Sequence, residues 1–132
     1  MRILVIDDDF VSRNVIARFL AGFGEVTTAE NGKLGIEAVR AARLDGRPFD
    51  LVTLDVMMPE LNGHEVLQRL RALEDEASTE PRSRVLMTTA LDDLKTVHSA
   101  YQGLCDDYLT KPIRKAVLYE KLQAMGFPLP GR

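Results

Sequence analysis

Ile3-Leu4-Val5-Ile6-Asp7-Asp8-Asp9 runs four consecutive apolar residues straight into three consecutive acids. A short, fully apolar run of this kind reads as a strand buried on both faces, the habit of parallel sheets. The arrangement recurs at Leu51-Val52-Thr53-Leu54-Asp55, again with a carboxylate at the end. Two later runs end in different chemistry. Val85-Leu86-Met87-Thr88-Thr89 finishes in hydroxyls, and Tyr108-Leu109-Thr110-Lys111 finishes in a lysine. In an open parallel sheet the ligand crevice lies outside the carboxyl ends of the strands. The pattern therefore predicts acids, a hydroxyl and one ammonium gathered in one place, which is the equipment of a magnesium and phosphoryl site.

Outward from these runs the chain alternates strand and helix five times. Strands are predicted near residues 2–6, 25–29, 50–54, 84–89 and 107–110. Between the first two, Val11, Val15, Ile16, Phe19 and Leu20 recur at helical spacing, and Gly22 and Gly24 end that helix. Asn31-Gly32 opens a second helix with Leu34, Ala38, Val39 and Ala42 inward, stopping before the turn-rich Asp45-Gly46-Arg47-Pro48. A third carries Val66, Leu67, Leu70 and Leu73, and the charged run 74–80 is expected to be a solvated helix end and loop. A fourth uses Leu94, Val97, Tyr101 and Leu104, and a fifth Leu118, Leu122 and Met125. Strict alternation with short connections implies a parallel sheet covered by helices on both faces. The flavodoxin-like (βα)5 order 2-1-3-4-5 puts the switch point between the first and third strands, those that end in Asp7-Asp8 and Asp55.

Composition narrows the class. A chain of 132 residues is one domain by length and can bury a real core. Hydrophobic residues make up 45% and charged residues 28%, ordinary for a globular domain. A net charge of −3 argues against direct nucleic-acid binding. The single cysteine, Cys105, allows no intrachain disulfide and suits a reducing compartment. No apolar stretch approaches the roughly 18 residues of a membrane span, and the N-terminus enters a strand without a signal-peptide pattern. These features lead us to expect a cytoplasmic protein.

The crevice has an electrostatic problem. Carboxylates about 4 Å apart repel by on the order of 4 kcal/mol at an effective dielectric near 20. A hard divalent cation with oxygen ligands relieves that repulsion, and magnesium takes one or two carboxylates while keeping several waters. Lys111 offsets further charge and can reach a phosphoryl oxygen, as can the Thr89 hydroxyl. An accessible aspartate beside the metal can attack phosphorus.

These residues resemble a known family. Asp7-Asp8 is similar to the acidic pair of response-regulator receiver domains. The stretch Asp50-Leu51-Val52-Thr53-Leu54-Asp55-Val56-Met57-Met58-Pro59-Glu60-Leu61-Asn62-Gly63 resembles their phospho-acceptor strand and loop. Thr89-Ala90 resembles the switch threonine and its small neighbour, and Asp107-Tyr108-Leu109-Thr110-Lys111-Pro112 the fifth strand with its lysine-proline. The resemblance covers about residues 2 to 125, with the motifs in the right order at the right strand ends.

The resemblance implies a receiver domain over residues 1–125 with a short tail, 126–132; the start at Met1 and the short tail favour a stand-alone, chemotaxis-type receiver over the excised receiver of a longer chain. By that resemblance it would be a signalling domain and not an enzyme, accepting a phosphoryl group on Asp55 from a histidine kinase or phosphotransfer protein and signalling to a downstream protein. Mg²⁺ would be held by Asp8, Asp55 and the backbone carbonyl of Met57, with Asp7 acting directly or through a water. Thr89 and Lys111 would grip phosphoryl oxygens, and Tyr108 would be the aromatic switch. A cis peptide is expected at Lys111-Pro112. Met57 and Leu91 stand at two variable positions where relatives often carry polar residues that affect phosphoryl lifetime. Apolar residues at both point to a long-lived phosphoform. Asp9 is expected to cap the helix starting at Phe10. No role is assigned to Cys105, Met58, His64 or His98, and Thr88 is expected to be plain strand structure.

One competing reading comes from another class. Asp7-Asp8-Asp9-Phe10-Val11 fits the D-x-D-x-[TV] motif of haloacid-dehalogenase-type phosphohydrolases, with Asp7 as nucleophile. Past Lys111, however, the only acidic residue is Glu120, so that reading lacks a metal ligand and leaves Asp55 unexplained. A binding module that has lost phosphorylation is disfavoured by the intact Asp7, Asp8, Asp55, Thr89 and Lys111.

Overall fold

The structure is a computed structural model and describes residues 1–76, 81–90, 93 and 104–130. Five strands, β1 (Arg2–Ile6), β2 (Glu25–Ala29), β3 (Leu51–Asp55), β4 (Arg84–Ala90) and β5 (Asp107–Lys111), form one sheet in the order β2-β1-β3-β4-β5. All four pairings are parallel. The helices described are α1 (Phe10–Leu20), α2 (Gly32–Leu44), α3 (Gly63–Glu76) and α4 (Lys115–Ala124), with a 3₁₀ turn at Ala21–Phe23. The expected architecture and strand order are those observed, with the predicted strand ends displaced by no more than one residue. Of the expected fourth helix, Leu94, Val97 and Tyr101 lie outside the described residues; the fifth is α4.

The alternation of side chains along each strand divides the core in two. Leu4, Ile6, Val52, Leu54, Val85 and Met87 face α2 and α3, with Ile36, Val39, Val66, Leu67 and Leu70 against them. Ile3, Val5, Leu51, Leu86 and Leu109 face α1 and α4, meeting Ile16, Leu20, Leu118 and Leu122. Burial on both faces is why the strand sequences show no polar alternation.

Local chemistry starts the helices where the sequence predicts. Asp9 is the N-cap of α1, accepting from Ser12 N–H at 2.9 Å, and Asn31 caps α2 through Leu34 N–H at 2.8 Å. Asn62 and Glu65 exchange bonds across the start of α3, with Glu65 N–H to Asn62 Oδ1 at 3.0 Å and Asn62 N–H to Glu65 Oε1 at 3.4 Å. That is a capping box with asparagine as its cap.

Three expectations are corrected. Val11 and Leu34, predicted inward, are exposed at 65% and 41%. Both lie in the first turn of a helix that begins just past a strand end, where the sheet offers no surface to cover them. Glu74, assigned to a solvated stretch, is buried at 3%. Its carboxylate accepts from Arg71 Nη1 and from Ser83 N–H, both at 2.6 Å. Asp75 and Glu76 are exposed as expected, and residues 77–80 lie outside the described residues.

Candidate phosphoryl and metal site

The order β2-β1-β3 makes β1 and β3 neighbours, in register from Ile3 with Leu51 to Ile6 with Leu54. Their next residues, Asp7 and Asp55, therefore leave the sheet side by side. Carboxylate oxygens of Asp7, Asp8 and Asp55 all lie within 4.8 Å of one another. Asp7 and Asp55 are buried, at 0% and 3% exposure, whereas Asp8 is exposed.

Lys111, at the end of β5, reaches across to this cluster. Its ammonium lies 3.2 Å from Asp7 Oδ2 and 3.3 Å from Asp55 Oδ1. The Asp7 contact is an ion pair without hydrogen-bond geometry, because that buried oxygen has no hydrogen-bond partner. The peptide Lys111-Pro112 is cis, as the family resemblance implied.

The backbone around the acids is closely held. Asp9 N–H donates to Asp7 Oδ1 at 2.9 Å, and Arg13 Nη1 to the Asp7 carbonyl at 2.9 Å. Met57 N–H donates to Asp55 Oδ1 at 3.4 Å. Gly63 N–H meets the Val56 carbonyl at 2.9 Å, and a Cβ on Gly63 would stand 2.6 Å from the Asp55 carbonyl oxygen. Only glycine permits that approach. Glu60, in the same loop, takes a left-handed conformation with φ of 66°. Arg13 was given no role from sequence. Its position one helical turn past the acids was the available signal, and its bond to Asp7 makes it part of the scaffold of the site.

Three carboxylates against one ammonium leave the cluster short of positive charge. Burial drives the Asp55 carboxyl up to about 7 from its ordinary 3.8, the Asp7 charge and a hydrogen bond with Asp8 add to this, and Lys111 opposes it. For Lys111, burial acts to lower the pKa, but the charges of Asp55 and Asp7 outweigh it and the net shift is upward. The lysine stays an ammonium. The donor set suits a hard cation. Magnesium prefers oxygen ligands and takes one or two carboxylates while keeping several waters. Asp7, Asp8 and Asp55, with carboxylate oxygens within 4.8 Å of one another, would be the residues to hold such an ion.

Thr89 and Tyr108 stand nearby but outside the ion-paired group. Thr89 is buried at the end of β4 and its hydroxyl donates to the Ala90 carbonyl at 3.4 Å. Tyr108 pairs in register with Met87 and packs, half-buried, against the core under α2 and α3. Burial pushes the neighbouring Cys105 thiol up, so it is not a reactive thiolate. Met57 is exposed, and Leu91 lies outside the described residues.

The phosphohydrolase alternative finds no support here. Asp7 has no exposed surface, and each of its carboxylate oxygens is turned to a group of the protein itself. Among the described residues, no acidic group past Lys111 joins the cluster.

Comparison with known proteins agrees with the geometry. Residues 3–123 match the family model described as response regulator receiver domain. The regulatory protein VanRB of Enterococcus faecalis is 34% identical over 126 residues, covering 95% of this chain and 52% of that protein. The transcriptional regulatory protein TcrA of Mycobacterium tuberculosis is 36% identical over 131 residues, covering 96% of this chain and 46% of that protein. The chain thus spans about half the length of these curated relatives. Among solved structures, the receiver domain of the histidine kinase CKI1 from Arabidopsis thaliana, complexed with Mg²⁺, superimposes with a TM-score of 0.78. It is 26% identical, over 94% of this chain and 90% of that one. Chemotaxis protein CheY4 of Vibrio cholerae gives a TM-score of 0.70 at 26% identity, over 93% of this chain and 96% of that one. No helix among the described residues is long and apolar enough to cross a membrane. With its acids and lysine at the switch point of a 2-1-3-4-5 sheet, the chain belongs to the response regulator receiver domain family of two-component signalling.

Proposed function

We propose that Asp55 is the phospho-acceptor. An oxygen of its carboxylate attacks the phosphorus of a phosphohistidine on a histidine kinase or phosphotransfer protein. A new O–P bond forms, the P–N bond breaks, and the imidazole nitrogen leaves with the electron pair. Asp8 and Asp55, with the Met57 carbonyl, hold Mg²⁺, and Asp7 joins directly or through a water. When bound, the cation neutralises the carboxylates and the charge developing on the phosphoryl oxygens. Lys111 keeps its ammonium to grip one phosphoryl oxygen, and the Thr89 hydroxyl turns from Ala90 to take another. Tyr108 then rotates into the space that Thr89 vacates, and a downstream protein reads the changed surface.

The observation that supports this reading most is the convergence of Asp7, Asp55 and Lys111, with both ion pairs within 3.3 Å at the switch point. The domain acts by accepting a phosphoryl group on itself, without turning over a separate substrate, and works in the cytoplasm without contacting nucleic acid or membrane directly. We take residues 1–125 as the receiver unit and 126–132 as its tail. Incubation with acetyl phosphate and Mg²⁺, followed by intact-mass analysis and peptide mapping, tests this. Label is expected on Asp55 alone and only with Mg²⁺. Label on Asp7, or turnover of p-nitrophenyl phosphate, would overturn it.

A further inference from the structure

Of the three clustered acids, Asp8 alone is exposed. Its hydrogen bond with the Asp55 carboxyl needs a proton between the two groups, and a cation bound there displaces that proton. A ligand side chain that swings freely loses conformational entropy when it binds. The direction in which Asp8 points must therefore come from the backbone on either side of it.

Both peptides flanking Asp8 are pinned. On one side, Asp9 N–H donates to Asp7 Oδ1 at 2.9 Å, and Asp9 is itself fixed as the N-cap of α1. On the other, Asp7 N–H donates to the Ala29 carbonyl at 3.1 Å. In a parallel ladder a residue that donates to one neighbour also accepts from it, two residues further on. Here β2 ends at Ala29, and Asn31 has already left the sheet to cap α2. The Asp7 carbonyl is taken up instead by Arg13, whose Nη1 donates to it at 2.9 Å from one turn into α1. The guanidinium is steadied in turn by the exposed ring of Phe10, lying 5.6 Å from its centre.

We infer that Arg13 is a positioning residue for the metal site: by fixing the peptide between Asp7 and Asp8, it aims the Asp8 carboxylate at the cation. The inference rests on Asp8 being a Mg²⁺ ligand, and it goes against the sign that charge alone would give. A guanidinium near the acids repels a cation, so as a mere charge Arg13 would weaken Mg²⁺ binding and its removal would tighten it. As a positioning residue, its removal loosens Asp8 and weakens binding. The choice of cation separates geometry from charge a second time. Mg²⁺ demands near-ideal octahedral placement of its oxygens, whereas Ca²⁺ accepts a flexible arrangement. Loss of aim should fall on Mg²⁺ and largely spare Ca²⁺.

Amide resonances of the unphosphorylated protein, followed through titration with MgCl2 and separately with CaCl2, give both dissociation constants. Arg13→Met should weaken Mg²⁺ binding about tenfold, as the loss of a group behind a metal ligand does, and Ca²⁺ binding by no more than about twofold. Arg13→Lys supplies one donor in place of the Nη1 contact and should stay within about threefold of the parent for both ions. Phe10→Ala loosens the guanidinium without removing it and should cut the preference for Mg²⁺ over Ca²⁺ by about threefold. If Arg13→Met binds Mg²⁺ as well as or better than the parent, or loses both ions equally, Arg13 does not position Asp8. Should that variant fail to fold, Phe10→Ala decides, and an unchanged preference overturns the inference. A parent that takes up no Mg²⁺, or an Asp8→Ala protein that binds it unchanged, would instead sink the assignment of Asp8 as a ligand.

Discussion

Two charged clusters sit at opposite ends of the same sheet and are built on opposite principles. At the carboxyl ends of the strands, Asp7, Asp8 and Asp55 share one ammonium, and burial with mutual repulsion drives Asp55 up to about 7. At the amino ends, Arg71 donates to Glu74 at 2.6 Å and to the carbonyls of Ser83 and Leu104 at 2.9 Å. Glu74 also takes Ser83 N–H, and Ser83 Oγ closes onto the Phe49 carbonyl at 2.6 Å. Asp106 completes the basal cluster, accepting Val85 N–H at 2.7 Å and lying 3.5 Å from Arg71 and 3.2 Å from Arg84, so that two arginines face two carboxylates. The basal cluster is balanced, so it fixes structure. The crevice cluster is left short of positive charge, so it has affinity to spare for a cation.

The sharpest way to break this comparison is to neutralise one member of each. Asp55→Asn should remove phosphoryl acceptance altogether, with no label by intact mass after acetyl phosphate and Mg²⁺. The same change relieves repulsion, so the metal-free protein should melt higher than the parent. A lower Tm would mean that the crevice acids stabilise the fold and that the contrast is false. At the base the sign reverses. Arg71→Ala strands the Glu74 carboxylate, 3% exposed, without its cation. Breaking a buried pair by removing one partner costs about 3–5 kcal/mol. Urea unfolding should show that loss, and the surviving folded fraction should still accept phosphate on Asp55.

Magnesium sharpens the comparison. A ligand that binds only the folded state stabilises it by about 2.7 kcal/mol at a hundredfold excess over Kd. Melting in increasing Mg²⁺ should show that gain in the parent and in Arg71→Ala, and Asp8→Ala should lose most of it. If Asp8→Ala responds to Mg²⁺ like the parent, Asp8 is not a ligand.

The same asymmetry sets a pH dependence. Folding raises the Asp55 pKa from 3.8 to about 7, so the folded protein holds that proton more tightly than the unfolded chain. The resulting stability is complete below the unfolded value and is lost as pH rises through about 7. Tm of the metal-free parent should therefore fall between about pH 4 and 7, and the Asp55→Asn slope should be flatter by that contribution. Equal slopes would remove Asp55 as the cause.

The comparison also explains what was legible in the sequence. The crevice could be read because each part is local. An apolar run names a strand, the next residue names the chemistry, and topology brings the strand ends together. Glu74 could not be read that way. It opens an acidic run that looks solvated, but its carboxylate is held by Arg71 and by Ser83, the latter nine residues on and just before β4. Long-range hydrogen bonds leave no periodicity behind. Helix faces were legible except at first turns, where Val11 and Leu34 overhang the sheet.

The smallest expected effect concerns the link between crevice and surface. Thr89 is buried and holds the Ala90 carbonyl only at 3.4 Å, a long bond that is readily exchanged for one to a phosphoryl oxygen. One strand away, Tyr108 is half-buried and in register with Met87, one residue before Thr88 on β4. A phosphoryl group can shift Tyr108 only by as much as its contacts differ between the two positions of Thr89. One neutral hydrogen bond contributes about 1 kcal/mol net, roughly a fivefold change in the balance of the two forms. Thr89→Ala should therefore still accept phosphate on Asp55, while the Tyr108 response falls to a fraction of the parent's. The ring resonances of Tyr108, followed by NMR with and without beryllofluoride, report that response directly. A full Tyr108 shift in Thr89→Ala would show that the signal leaves the crevice by another route, with the backbone of β4 and β5 the first place to look.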